Sequence, residues 1–146
     1  MKYQILAAGK PALAYARTGI AEYLKRLTRS ASVDLIYRKA GDSESVSRDF
    51  LAQSEGSMRI AMDERGELLD TAAFVQKIDR WEMAGEIKTI SFLIGASDGH
   101  SAALREKSDF IWALSPLTMQ HELALVVLLE QLYRAHTIKR GEPYHR

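Results

Sequence analysis

Ile90-Ser91-Phe92-Leu93-Ile94-Gly95-Ala96-Ser97-Asp98-Gly99 is the stretch that decides the fold. Its first five residues carry no charge and no clean apolar–polar alternation, so a strand here would be covered on both faces. Such strands belong to parallel sheets with helices on each side, not to antiparallel sheets with one wet face. Two glycines then bracket a short polar loop. Strand-like and helix-like segments alternate on either side of this stretch, which predicts an α/β domain: a mainly parallel sheet flanked by helices.

Toward the N-terminus, Tyr3 to Ala8 reads as a first strand, and Pro11 as the opening of a helix, where proline is well tolerated. Leu13, Ala16, Ile20, Leu24 and Leu27 recur at three- and four-residue steps, predicting one buried stripe. Val33 to Tyr37 is a short second strand. Asp42 to Glu55 is polar and serine-rich, and reads as a weak helix within a loop. Met58 to Met62 is a third strand, followed by a turn at Asp63-Glu64-Arg65-Gly66. Asp70 or Thr71 can cap the next helix, which turns Phe74, Ile78 and Trp81 inward and stops at Gly85. Lys88 to Ile94 is the fourth strand.

Toward the C-terminus, the expectation is a short helix from Ser101 to Lys107, a fifth strand from Phe110 to Leu114, and a loop from Ser115 to Gln120. A final helix then runs from His121 to Ile138. No repeat, low-complexity tract or composition break divides the chain, so residues 1–146 form one domain.

Bulk properties narrow the function. The chain has 47% apolar and 27% charged residues, a globular balance. It contains no cysteine, which excludes disulfides, thiolate metal sites and cysteine nucleophiles. The start, Met1-Lys2-Tyr3-Gln4-Ile5-Leu6, lacks a signal peptide's apolar core, and Leu123 to Leu129 is too short to cross a bilayer. The expectation is a cytoplasmic protein with no membrane contact. A net charge of only +1 argues against a strong grip on naked duplex. Arg134, Lys139, Arg140 and Arg146 nonetheless cluster at the end against the single acid Glu142; a phosphate patch and a solvated helix end account for this equally well.

Open parallel sheets bind ligands beyond the carboxyl ends of their strands. Three loops leave such ends: Asp63 to Gly66, Gly95 to Gly99, and Ser115 to Gln120. Glycines 95 and 99 fit either a ligand cradle or an ordinary strand-to-helix turn. No phosphate-loop or dinucleotide glycine pattern is present, which argues against a ligand held by its phosphates. Met62, Leu117 and Met119 would serve as apolar walls. His121-Glu122 begins like a zinc-protease helix, but Leu125 and Val126 follow where the second histidine belongs. His100, His121, His136 and His145 show no ligand spacing, so no metal is expected.

The end of the chain is unusual in another way. Ala124-Leu125-Val126-Val127-Leu128-Leu129 is apolar all round for nearly two turns, which predicts burial by the sheet on one side and by something else, such as a second copy, on the other. Beyond it lie Glu130-Gln131-Leu132-Tyr133-Arg134-Ala135 and the terminal Pro143-Tyr144-His145-Arg146. These two segments, with Tyr3-Gln4-Ile5-Leu6-Ala7-Ala8-Gly9 at the start, resemble the RlmH-type ribosomal RNA large-subunit pseudouridine methyltransferases. That family belongs to the knotted SPOUT superfamily, and the resemblance spans essentially the whole chain.

The resemblance implies a SPOUT-type fold with a C-terminal trefoil knot, a homodimer, and S-adenosyl-L-methionine as cofactor. The substrate it implies is a pseudouridine of 23S rRNA in the ribosome, methylated at N3. It places Met62, Gly95, Ala96, Ser115, Pro116, Leu117, Thr118, Met119 and Gln120 around the cofactor. It makes His145 the candidate general base, Tyr144 an orienting hydrogen bonder, and Arg146, Arg134 and His121 RNA contacts, with the tail of one subunit completing the pocket of the other. Without cysteine, only direct attack by a heteroatom is available. The chain departs from the family at three positions: Gly95-Ala96 replaces two adjacent glycines, Gln120 a usual proline, and Leu125 a common arginine. Two alternatives stand beside the enzyme: a non-catalytic ribosome-binding relative with a decayed pocket, and an unrelated α/β nucleotide-binding module.

Overall fold

The computed structural model describes residues 1–146. Its elements are β1 (Lys2–Ala8), α1 (Ala14–Leu27), β2 (Ser32–Arg38), α2 (Ser43–Gln53), β3 (Met58–Leu68), α3 (Thr71–Met83), β4 (Thr89–Ile94), α4 (Ala102–Glu106), β5 (Phe110–Ala113) and α5 (His121–Lys139). The five strands form one sheet in the order β2-β1-β4-β3-β5, and every neighbouring pair is parallel. No helix is long and apolar enough to cross a membrane.

β4 lies inside the sheet, and Ile90 to Ile94 are all buried, as its composition demands. Ile90, Phe92 and Ile94 join the larger core with residues of α1, α3 and α5. Leu93 joins a smaller core on the other side with Val46 and Phe50 of α2 and Leu104 of α4. Ser91 is the one polar residue in the run, and its hydroxyl is shared with Gln4 Oε1 at 2.8 Å and Ser57 Oγ at 2.7 Å. Helices thus cover both faces, and the three-layer arrangement follows.

Three elements differ from the sequence reading. α1 starts at Ala14, not at Pro11, and Leu13 is exposed as its N-cap residue instead of lying on the buried stripe. No side chain of the N-cap satisfies the first amides. Just before the helix, Glu122 of α5 accepts at its Oε1 from the Ala12 and Leu13 amides at 2.7 and 3.0 Å, which fixes the approach to α1. The turn expected at 63–66 is an interruption within a longer strand. Met62 and Glu67 both pair with Trp112, so the residues between leave the ladder and return to it. Gly66 permits the return: a Cβ there would sit 2.6 Å from the Ile111 carbonyl group and 2.8 Å from the Trp112 amide. α2, expected as a weak helix, is a capped one, with Asp42 accepting from the Ser45 amide at 2.8 Å.

α5 buries Leu125, Leu128, Leu129, Leu132 and Ala135 in the larger core and packs along α1. Leu123 is exposed, while Val126 and Val127 are half-buried. Leu125, standing where the family has an arginine, is 2% exposed and belongs to the core, so its apolar character serves packing.

Candidate active site

The carboxyl ends of β3, β4 and β5 open onto a single cavity of about 370 Å³. β3 contributes Met62, Asp63 and Glu64; the end of β4 contributes Ile94, Gly95, Ala96 and Ser97. Leu114, Ser115, Leu117, Thr118, Met119 and Gln120 close it after β5, and His121 and Ala124 of α5 form the last wall. The three loops singled out from the sequence therefore meet. Of the nine residues expected around a cofactor, eight line this cavity; Pro116 lies in the same loop but is exposed and off the wall.

Gly95 is explained by its neighbour. A Cβ there would come within 3.2 Å of Cε1 and Nδ1 of His100, whose ring packs under the loop. His100 is 5% exposed, and its Nε2 lies 3.0 Å from the Leu93 carbonyl and 3.1 Å from the Met62 carbonyl. Two acceptors require Nε2 to carry the proton. Nδ1 is then a buried acceptor with no partner. Burial holds the ring's proton affinity below the ordinary histidine value, against the opposing pull of the Leu93 carbonyl, the Asp63 charge and the Met62 carbonyl. The neutral ring thus ties the ends of β3 and β4 together beneath the cavity.

Asp63 has a side chain only 6% exposed, ion-paired with Arg65 at 2.9 Å and facing Arg105 at 3.9 Å. Burial opposes its charge, but hydrogen bonds from the Arg65 side chain and amide hold it below the usual carboxylate range. Glu64 accepts a hydrogen bond from the Thr118 hydroxyl, joining the β3 excursion to the loop after β5 across the cavity. The wall is therefore apolar at Met62, Ile94, Leu114, Leu117 and Met119, with two carboxylates on one side.

The departures from the family pattern do not distort this site. No residue other than glycine has a positive φ, so the Ala96 methyl sits on unstrained backbone and packs against the smaller core. Gln120 has φ −61°, close to the value proline imposes. Its Oε1 accepts from the Glu122 and Leu123 amides at 2.9 and 3.1 Å, so Gln120 caps α5. His121 lines the cavity.

The tail lies elsewhere in the same chain. Tyr144 packs edge-on against Tyr133, donates to Glu130 Oε1 at 3.1 Å and meets the Tyr23 hydroxyl at 3.5 Å. Burial, with Tyr23 and the Glu130 charge, raises the Tyr144 phenol above its ordinary value, so it stays protonated. Arg134 holds Glu130 at 2.6 and 2.9 Å, lies 4.7 Å from the Tyr144 ring centroid, and contacts His145 Nδ1 at 3.1 Å. Tyr144, His145, Arg134 and Arg146 thus sit at the far end of α5: the helix from Ala124 to Arg134 spans about 15 Å. Within one protomer the tail does not reach the cavity.

A family model described as "Predicted SPOUT methyltransferase" matches residues 1–145. The chain belongs to the SPOUT methyltransferase family. Among its relatives, a Ribosomal RNA large subunit methyltransferase H of Thermus thermophilus is 44% identical over 146 residues, covering 100% of this chain and 99% of that protein. The protein of the same name from Deinococcus radiodurans is 39% identical over 147 residues, with the same coverage. Among solved structures, a "probable methylase family protein" of Haemophilus influenzae Rd KW20 superposes with a TM-score of 0.56 at 12% identity, over 99% of this chain and 70% of its own. The Legionella pneumophila methyltransferase Lpg2936, solved with bound SAM, gives 0.50 at 9% identity over 93% and 66%. Those two share the fold. Membership of the SPOUT family makes S-adenosylmethionine the cofactor and methyl transfer the reaction class.

Sequence reasoning missed several residues of this SPOUT site. Asp63 and Glu64 lay in a loop singled out for its place at a strand's carboxyl end, but neither side chain was given a role, although two adjacent acids there were a usable signal. His100 and Glu122 act through backbone atoms remote in sequence, and no local pattern marks them. No three His, Asp or Glu side chains converge as a metal site would require.

Proposed function

We propose that this protein methylates N3 of a pseudouridine in 23S rRNA of the large ribosomal subunit, working as a homodimer. The observation that carries the reading is a full-length, 44% identical relative named for methylating large-subunit rRNA, matched by a chain whose cavity is intact. The cavity fits S-adenosylmethionine: its size is in the range of small-molecule sites, about 300–1,000 Å³. Its apolar wall suits an adenine, and the exposed Glu64 carboxylate suits a cation. Met62, Gly95, Ala96, Ser115, Leu117, Thr118, Met119 and Gln120 would hold the cofactor, with Pro116 shaping the loop. Bound there, the cofactor supplies a methyl group on a positively charged sulfur.

The protein's share of the chemistry is positioning and proton removal. The imide N3 must lose its proton, and His145 is the candidate to take it. Docked on its own α5, however, His145 Nδ1 accepts from Arg134, which leaves the proton on Nε2. To act as a base the ring must give up Arg134. Insertion of the tail into a second protomer's cavity supplies the occasion, and it accounts for a tail that lines no part of its own cavity. The exposed Leu123 and the half-buried Val127 offer α5 surface for that second copy. Tyr144 stays a neutral donor able to orient a base, and Arg146, Arg134 and His121 are the residues that would meet RNA. The C-terminal trefoil knot belongs to the same reading. Glu122 of α5 gripping the amides before α1 is in keeping with an end held deep in the fold.

The test is mass mapping of 23S rRNA from cells with and without the gene, followed by treatment of the deficient ribosomes with purified protein and S-adenosylmethionine. One methyl group should disappear and be restored at a pseudouridine. Identical maps, with no transfer in vitro, would defeat the assignment. The decayed-pocket alternative rests on Ala96, Gln120 and Leu125, none of which deforms the cavity.

A further inference from the structure

The C-terminal ends of α1 and α5 meet to form a second concavity, of about 500 Å³, lined by Arg26, Arg29, Ser30, Tyr133, Arg140 and Glu142. Three guanidinium groups face one carboxylate, on a chain whose net charge is only +1. The modest overall balance therefore hides a local concentration of positive charge. Tyr133 is the only hydrophobic residue on the wall, so an apolar ligand has little to bury against.

The cations are held ready in different ways. Arg26 is fixed by Glu22 at 2.9 Å, and its guanidinium lies 5.5 Å from the Tyr23 ring centroid and 5.6 Å from that of Tyr133. Arg140 is held by Glu142 at 2.8 Å. Arg29 is exposed and makes no ion pair or side-chain hydrogen bond, so its donors are free. A planar guanidinium is well matched to phosphate oxygens, which it can meet with two parallel hydrogen bonds. Cations on two separate chain segments suit successive phosphates of a strand better than one small anion. The cleft also adjoins the tail: Glu142 precedes Pro143 directly, and Tyr23 and Tyr133, which flank Arg26, both contact Tyr144.

We propose that this cleft is the backbone-binding arm of the RNA site, where Arg26, Arg29 and Arg140 hold phosphodiester groups flanking the nucleotide to be methylated. The proposal rests on the rRNA reading above. Wherever the tail completes a site, the cleft travels with it, so a strand lying in the cleft is delivered beside Tyr144 to Arg146. This also gives a weakly charged protein its grip on RNA, by concentrating arginines where the substrate passes. The contact carries no sequence information; it fixes register and contributes salt-dependent affinity.

The experiment measures methyl transfer to large ribosomal subunits from a strain lacking the gene, comparing the wild type with Arg29→Ala, Arg29→Glu and, as a matched charge reversal on the opposite face of the sheet, Arg48→Glu on α2. Arg29 has no partner to lose, so its variants should fold normally, as circular dichroism and calorimetric S-adenosylmethionine binding would verify. Arg29→Glu should raise KM for subunits about tenfold, the loss of one charge-assisted contact, while kcat and cofactor affinity hold. Arg29→Ala should flatten the dependence of log affinity on log salt by about 0.7, the share of one single-strand phosphate. Arg48→Glu should change both far less. If the wild type methylates subunits and Arg29→Glu matches it in KM and salt slope, the cleft assignment falls and the rRNA reading stands. If the wild type neither binds nor methylates subunits, both fall. Calorimetry with inorganic phosphate and AMP separates a free-anion site: ligand binding that Arg29→Glu abolishes, with KM for subunits unchanged, would overturn the proposal.

Discussion

Replacing His100 by leucine should cost stability at neutral pH and cost less in mild acid. At pH 7.5 the change leaves the Met62 and Leu93 carbonyls, both served by one ring N–H, without a donor. Each buried polar group left unpaired costs about 1–3 kcal/mol. Removing Nδ1, which is buried and has no partner, offsets part of that cost. The net expectation is a loss of about 1–3 kcal/mol, or about 2–4 °C of melting temperature per kcal/mol for a chain of this size. The pH dependence is more diagnostic. Burial depresses the proton affinity of His100 in the folded state. The unfolded chain therefore binds the extra proton as pH falls below about 6.5, and the wild type loses stability there at up to about 1.4 kcal/mol per pH unit for this ring. His100→Leu has no such ring, so its deficit relative to wild type should shrink by up to about 1.4 kcal/mol between pH 7.5 and 5.5. His136, which burial also depresses, is present in both proteins and cancels in the comparison. Urea unfolding followed by the fluorescence of Trp81 and Trp112, at matched protein concentration, measures the difference. A deficit that is equal at the two pH values, or that grows in acid, would refute the neutral ring with its proton on Nε2.

Gly66→Ala places a Cβ 2.6 Å from the Ile111 carbonyl group, where only backbone movement can relieve it, and should lower stability by about 1–3 kcal/mol in a thermal melt. Because the β3 excursion carries Asp63 and Glu64, the same variant should bind S-adenosylmethionine more weakly by calorimetry. Gln120→Ala removes the cap of α5 and should cost about 1 kcal/mol; chemical denaturation reads it directly. Truncation after Glu142 should leave cofactor binding within about twofold, a change under 0.5 kcal/mol, yet abolish methyl transfer to deficient ribosomes. Retained transfer would remove the tail from the mechanism.

Much of this was legible because it is local. The uncharged run Ile90 to Ile94 could only be a strand covered on both faces, and that one inference led to the parallel sheet and placed ligand loops at its carboxyl rim. Asp70 and Gly85 bounded α3 through capping chemistry that needs only neighbours in sequence. The errors arose where a distant group supplied what the local pattern lacked. Pro11 looked like a first helical turn, but the amides of Ala12 and Leu13 are bonded to Glu122, far off in sequence, and α1 begins only at Ala14. Asp63 to Gly66 has the composition of a turn, yet Trp112 pairs on both sides of it and reabsorbs it into β3.

The same distinction explains why the wall of the cavity was foreseen and its supports were not. Wall residues sit on the loops that a parallel sheet must present, so topology alone points to them. Their supports are single contacts, two of them between ends far apart in sequence and one a local cap. Glu122 fixes the start of α5 to the segment before α1, Gln120 caps the same turn, and His100 joins the carbonyls of β3 and β4. Glu122 also shows why α5 can be so apolar and still have a defined position. Leucines buried along a helix determine which face turns inward but discriminate poorly between small slides along the axis. A carboxylate bonded to two specific amides does discriminate, because sliding by even one residue would break both bonds. Burial along Leu125, Leu128 and Leu129 therefore holds the helix in place, while one buried acid determines where His121 and Ala124 meet the cavity.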